Sequence, residues 1–288
     1  MLRHIGSTLV ATALLGSMLA KADDMAYLFS PLGSTTEGFG VVDLKTGVFT
    51  KLGVPQYNLG GLGELNNTIY ADPGGSGPQT LWIVNPTNGN LTAAANLPAS
   101  IQFGAMGSTT TGLYLLNSQA TDLYSINPST GTTTLIGSLG VAARTTGGLS
   151  VGANQLYYFD SDPGVSSLYT LNLSTGAATL IGNSSPPTCL KSTVFVDNTL
   201  YGASGYCSNP SETFSVDTTN GSVKLLGTGT FQDLNGLAPL LNNTNTAPEP
   251  GTVWLLIVGA AGLALVCLCR KAPTKRRNEL RVANLASD

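Results

Sequence analysis

Five times along the chain an Asp or Asn is followed four residues later by a Gly, with Thr or Asn just before that Gly. The five segments are Asp43-Leu-Lys-Thr-Gly47, Asn85-Pro-Thr-Asn-Gly89, Asn127-Pro-Ser-Thr-Gly131, Asn172-Leu-Ser-Thr-Gly176 and Asp217-Thr-Thr-Asn-Gly221. Their glycines stand 42, 42, 45 and 45 residues apart, a period typical of repeat architectures in which each unit is one small antiparallel sheet. A second series, Tyr27, Tyr70, Tyr114, Tyr157 and Tyr201, runs in phase with spacings of 43, 44, 43 and 44. Two independent markers with one period define five units.

Between each Tyr and the following Gly lies a β-rich run: Phe39 to Val42, Leu81 to Val84, Leu123 to Ile126, Leu168 to Leu171 and Thr213 to Val216. A further run follows the Gly, as in Thr133 to Gly137 and Thr179 to Gly182, where Thr, Leu and Ile suit a half-buried pleated surface. The Asx-x-x-Thr-Gly segment between them is turn chemistry: the Asx side chain bonds the backbone ahead of it, and Gly accepts positive φ. A fourth run, Gly-rich in most copies, precedes each later Tyr, and its last copy, Asn235 to Leu240, has no Tyr strand after it. Tyr27, conversely, has no such strand before it. The two deficits match, so residues 235 to 240 supply the missing innermost strand of the first sheet. The predicted fold class is all-β, a five-bladed β-propeller of four-stranded antiparallel blades closed by the C-terminal strand. Glycine in the innermost strands fits the crowding at a narrow channel.

Only 10% of the 288 residues are charged, so stacked sheets and neutral polar surfaces, rather than ions, are expected to keep the repeats folded and soluble. Residues 23–250 hold five basic side chains (Lys45, Lys51, Arg144, Lys191, Lys224) against fourteen acidic ones, net −9. That excess argues against a nucleic-acid partner.

The termini carry membrane signals. Residues 1–22 read as a signal peptide, with Arg3 and His4 before an apolar stretch and Ala20-Lys21-Ala22 as the cleavage site. The propeller ectodomain then spans 23–241, and a polar linker occupies 242–251. Residues 252–269 contain no charge, and eighteen residues at about 1.5 Å each reach roughly 27 Å, enough for a transmembrane helix. The tail 270–288 carries six basic residues against two acidic, which places it on the cytoplasmic side and the propeller outside.

Directly before the span stands Pro248-Glu249-Pro250. Pro-Glu-Pro, an apolar span and a basic cluster, over residues 247 to about 277, resemble the PEP-CTERM sorting signal of Gram-negative bacteria. The resemblance implies recognition by an exosortase-type membrane protease, processing near Pro250, and delivery to the cell surface or extracellular matrix. Export also bears on Cys189 and Cys207, eighteen residues apart at opposite ends of one hairpin. In an oxidising compartment a disulfide between them is expected, the alternative being a free pair.

The one histidine, His4, lies in the signal peptide, which removes Ser-His-Asp and Cys-His catalysis and histidine-based metal sites from the mature chain. No phosphate-binding Gly-x-x-x-x-Gly-Lys-Ser/Thr loop occurs. Asp160-Ser-Asp162-Pro-Gly164 resembles the opening of a calcium loop, but Val165 and Leu171 stand where an EF-hand needs Gly and Glu. No catalytic residue, metal or cofactor is therefore expected. Glu64 and Asp233, on or beside innermost strands of adjacent blades, are the one carboxylate pair suited to a glycan-active hydrolase.

Where the repeats differ, the connections entering the innermost strands carry Tyr57, Asn58, Gln102, Arg144, Lys191 and Asp233. These residues are expected to ring one mouth of the channel and to hydrogen-bond a polar ligand, such as an extracellular polysaccharide or a loop of a surface protein. The expected function is an exported, membrane-anchored or sorted binding or structural module, with the hydrolase as the alternative.

Overall fold

The computed structural model describes residues 24–34, 36–74, 78–141, 147–152, 155–161, 166–184, 190–205 and 211–241. The expected signal peptide, Arg144, Cys189, Cys207, Pro248, Glu249, Pro250, the expected span over 252–269 and residues 270–288 lie outside them. Among the described residues no helix is long and apolar enough to cross a membrane.

Twenty strands among the described residues form five four-stranded antiparallel sheets. Blade 1 holds β1 (Met25–Ser30), β2 (Gly38–Asp43) and β3 (Phe49–Gly53). Blade 2 is β4 (Leu59–Leu65), β5 (Thr68–Pro73), β6 (Thr80–Val84) and β7 (Leu91–Asn96). Blade 3 is β8 (Phe103–Ser108), β9 (Leu113–Asn117), β10 (Asp122–Ile126) and β11 (Thr133–Ser138). Blade 4 is β12 (Gly148–Gly152), β13 (Gln155–Ser161), β14 (Ser166–Leu171) and β15 (Ala178–Ser184). Blade 5 is β16 (Leu190–Val196), β17 (Thr199–Ser204), β18 (Glu212–Val216) and β19 (Val223–Thr228). The last strand, β20 (Gly236–Pro239), returns to blade 1 and pairs with β1 in the order β20-β1-β2-β3. Its register sets Tyr27 opposite Ala238 and Leu28 opposite Leu237, the closure expected from the repeat count.

Each Asx-x-x-Thr/Asn-Gly segment closes the hairpin between the third and fourth strands of its blade. The Asx side-chain oxygen accepts the N–H two residues on in all five copies, at 2.8–3.0 Å. The Gly N–H donates to the Asx carbonyl at 2.8–2.9 Å, with Gly φ between 72° and 79°. The same glycines touch the preceding blade. A Cβ at Gly176 would lie 2.5 Å from the Gly137 carbonyl oxygen, and one at Gly221 would lie 2.6 Å from that of Gly182. The turn therefore also interlocks blades at the rim. Every outermost strand carries a bulge at one equivalent place, which breaks its exposed edge against further pairing.

The apolar core is divided among the five seams between blades. Leu62, Ile69 and Phe29 fill the seam of blades 1 and 2, and Met106, Leu113 and Leu81 that of blades 2 and 3. Leu149, Leu116 and Tyr158 fill the next, then Phe159, Leu190 and Leu200, and finally Val194, Leu28 and Leu237. Each innermost strand contacts the next around the ring, β4 to β8 to β12 to β16 to β20 and back to β4. Small residues make this approach possible: a Cβ at Gly61 would stand 2.7 Å from the Met106 nitrogen, and one at Gly148 would stand 2.3 Å from that of Thr193.

Candidate functional site

The five innermost strands run in one direction around the channel, so the channel has a leading mouth, where they begin, and a trailing mouth, where they end. Side chains tie neighbouring strands across the gap that no ladder fills. Glu64 N–H donates to Ser108 Oγ at 3.1 Å, Thr193 Oγ1 to Ser150 Oγ at 3.1 Å, and Leu237 N–H to Ser192 Oγ at 2.9 Å. Asn235 Nδ2 donates to the Leu59 carbonyl at 2.9 Å, joining β20 to β4.

The trailing half opens into a cavity of about 180 Å³ to which all five innermost strands contribute. Leu62, Leu149 and Leu237 provide its apolar wall, and Ser108, Thr109, Thr110, Ser150 and Thr193 line it with hydroxyls. Ser108 and Ser150 accept the bonds just described, so each keeps an O–H to donate. Glu64 is the one ionisable side chain in the lining, and its Oε1 accepts the Asn67 N–H at 2.6 Å. The rim is built on tight hairpins. Asn66 and Asn67 have φ of 51° and 60°, and Asp197 and Asn198 have φ of 46° and 63°, the left-handed pairs that two-residue turns require. Phe195 borders the cavity and stacks on Tyr157 with ring centroids 5.5 Å apart.

Of the residues expected to ring one mouth, the described ones lie toward the leading end, and only some of them meet. Lys191 Nζ lies 3.9 Å from Asp233 Oδ1, and the Asp233 carboxylate also accepts the Leu234 N–H. Asn58 is bound to the blade 1 loop, its Oδ1 accepting the Leu32 N–H at 2.7 Å. Gln102 is exposed, and its backbone carbonyl accepts from Ser118. Tyr57 stacks on Trp82 of β6 at 5.1 Å, away from the innermost strands. The Trp82 Nε1 is buried without a hydrogen-bond partner among the described residues. Arg144 is outside the described residues.

Glu64 and Asp233 fall at opposite mouths. Glu64 lies near the end of β4, whereas Asp233 precedes the start of β20. A seven-residue strand such as β4 is roughly 20 Å long, well beyond the ~5–9.5 Å between the carboxylates of glycosidases. Asp160 is buried in β13, and Asp162 lies outside the described residues. Among the described residues no group of three or more His, Cys, Asp or Glu side chains is placed to hold a metal ion.

Sequence reasoning passed over the hydroxyl set of the cavity, because Ser and Thr are abundant throughout. It also passed over Asp72, which is 0% exposed near the end of β5, beside the leading mouth. Burial alone holds the Asp72 carboxyl well above the usual carboxylate range. The signal was available: two residues beyond the repeat tyrosine, the other units have Phe29, Leu116, Phe159 and Ala203.

A family described as "Domain of unknown function (DUF4394)" matches residues 83–190, from within β6 to the first residue of β16. No curated protein matches the chain. Among solved structures, the chain is similar to one in a nidogen/laminin complex, with a TM-score of 0.48 and 11% identity, covering 74% of this chain and 97% of that one. It is also similar to glutaminyl cyclase of Myxococcus xanthus, with a TM-score of 0.41 and 14% identity, covering 67% and 76%. The propeller assignment rests on the strand pairing of this chain itself.

Proposed function

We propose that the chain is an exported bacterial surface or extracellular-matrix protein whose propeller is a binding module, with the trailing cavity as its recognition site. The observation that carries this is the composition of the cavity, in which hydroxyls from β8, β12 and β16 and an apolar wall surround a single carboxylate. Such a surface suits an uncharged polar ligand, and a segment of extracellular polysaccharide is the natural candidate. The distance between Glu64 and Asp233 favours binding over hydrolysis. Delivery rests on the sequence at the two ends: a cleavable leader to Ala22, then Pro248-Glu249-Pro250 with its apolar span and basic tail, handled by an exosortase-type protease.

Mass spectrometry of the mature protein from cells with and without that protease tests the delivery. The expected product begins near Asp23 and ends near Pro250 only when the protease is present, and external protease digests it on intact cells. A chain that keeps residues 251–288 in both strains and resists external protease would overturn the sorting assignment.

A further inference from the structure

Asp72 interrupts a pattern that the other four blades keep. Two residues after the repeat tyrosine, Phe29, Leu116, Phe159 and Ala203 are each 0% exposed and pack into the seam with the following blade. At that position blade 2 places a carboxyl group, also 0% exposed, and neither of its oxygens has a hydrogen-bond partner among the described residues. The chain makes room for it. The β4–β5 ladder slips between Leu59 and Leu62, and the bulge holds Gly60 and Gly61. A Cβ at Gly60 would lie 2.1 Å from Asp72 Oδ1, and one at Gly61 would lie 2.8 Å from Oδ2 and 2.7 Å from the Met106 nitrogen of β8.

No charged group offsets it among the described residues. On β4 the one ionisable side chain, Glu64, is at the opposite end and bonded to Asn67, and β6 and β8 have none. On β10, Asp122 is held by Asn117 and Thr121. The titratable groups within the apolar cluster of this seam are the phenols Tyr70 and Tyr124.

We propose that the seam between blades 2 and 3 is a pH-sensitive joint, shut while the Asp72 carboxyl is neutral and loosened when it loses its proton. A carboxylate formed here has no partner among the described residues and must be hydrated, which requires β5 and β8 to part. The folded group keeps its proton well above the unfolded range. Folding stability is therefore highest below the unfolded pKa, near 4, and declines as pH rises toward the folded value. The fold needs only an apolar residue here, as in the other four blades, so the carboxyl acts as a sensor in an otherwise uniform ring.

Hydrogen exchange of the full-length protein between pH 5 and pH 9 tests this. Amides of β4, β5 and β8 are expected to lose protection about tenfold per pH unit beyond intrinsic base catalysis, while those of β13 and β17 do not. Asp72→Asn, nearly isosteric and unable to ionise, is expected to abolish the excess. If that variant does not fold, Asp72→Leu, which puts the residue type of Leu116 at this place, serves instead, and the wild-type comparison of seams stands on its own. Equal pH dependence at all five seams, or an excess that survives Asp72→Asn, would overturn the proposal.

Discussion

Gly176 carries two constraints at once. Its φ of 79° closes the hairpin, and its missing side chain lets blade 4 sit against the Gly137 carbonyl of blade 3. Gly176→Ala is therefore expected to cost about 2 kcal/mol or more in urea unfolding, from left-handed strain and the clash together. Gly112→Ala is the matched control, because the nearest atom would be an ordinary 3.5 Å away, and its effect is expected to stay within about 0.5 kcal/mol. The turn role of this glycine was legible in the spacing of Asn172 and Gly176. Its rim contact was not, since nothing in the sequence says which backbone lies against a turn. Asp72 was legible only by aligning the five units on their tyrosines, which sets it against Phe29, Leu116, Phe159 and Ala203.

Among the elements, β20 has the largest effect for its size, since its four residues turn an open row of blades into a ring. Leu237 is 3% exposed in the closing cluster, and Leu237→Ala is expected to cost about 3 kcal/mol, read as a fall in the urea midpoint at constant m. A second lock joins the same seam. The Tyr201 hydroxyl of β17 donates to Asp24, just ahead of β1, and Asp24 is also paired with Lys45. Burial and the Asp24 carboxylate push the Tyr201 hydroxyl up to about 12. A folded pKa above the unfolded value near 10 means that the lock contributes fully below pH ~10 and is lost as pH rises to about 12. Melting curves from pH 8 to pH 12 should show this loss in the wild type and a shallower one in Tyr201→Phe. The closing strand was legible because the unmatched first Tyr and last Gly-rich run left no other partner. The Tyr201–Asp24 lock was not, because a contact 177 residues apart depends on the closed ring.

At the scale of the whole molecule, repetition builds the frame and departures from it mark what the frame presents. The residues that vary at the leading mouth were legible, but their separate fates were not: Tyr57 leaves for Trp82, Asn58 binds a neighbouring loop, and Lys191 meets Asp233. The cavity lies at the other mouth, built from serines and threonines whose shared direction appears only once five strands converge. Calorimetric titration of the full-length protein with fragments of the producing cell's extracellular polysaccharide tests the central claim most directly. Saturable binding at one site per chain is predicted, weakened at least about tenfold by Glu64→Gln with Ser108→Ala and unchanged by Asp233→Asn at the leading mouth. Absence of saturable binding, or equal loss from both mouths, would contradict the account.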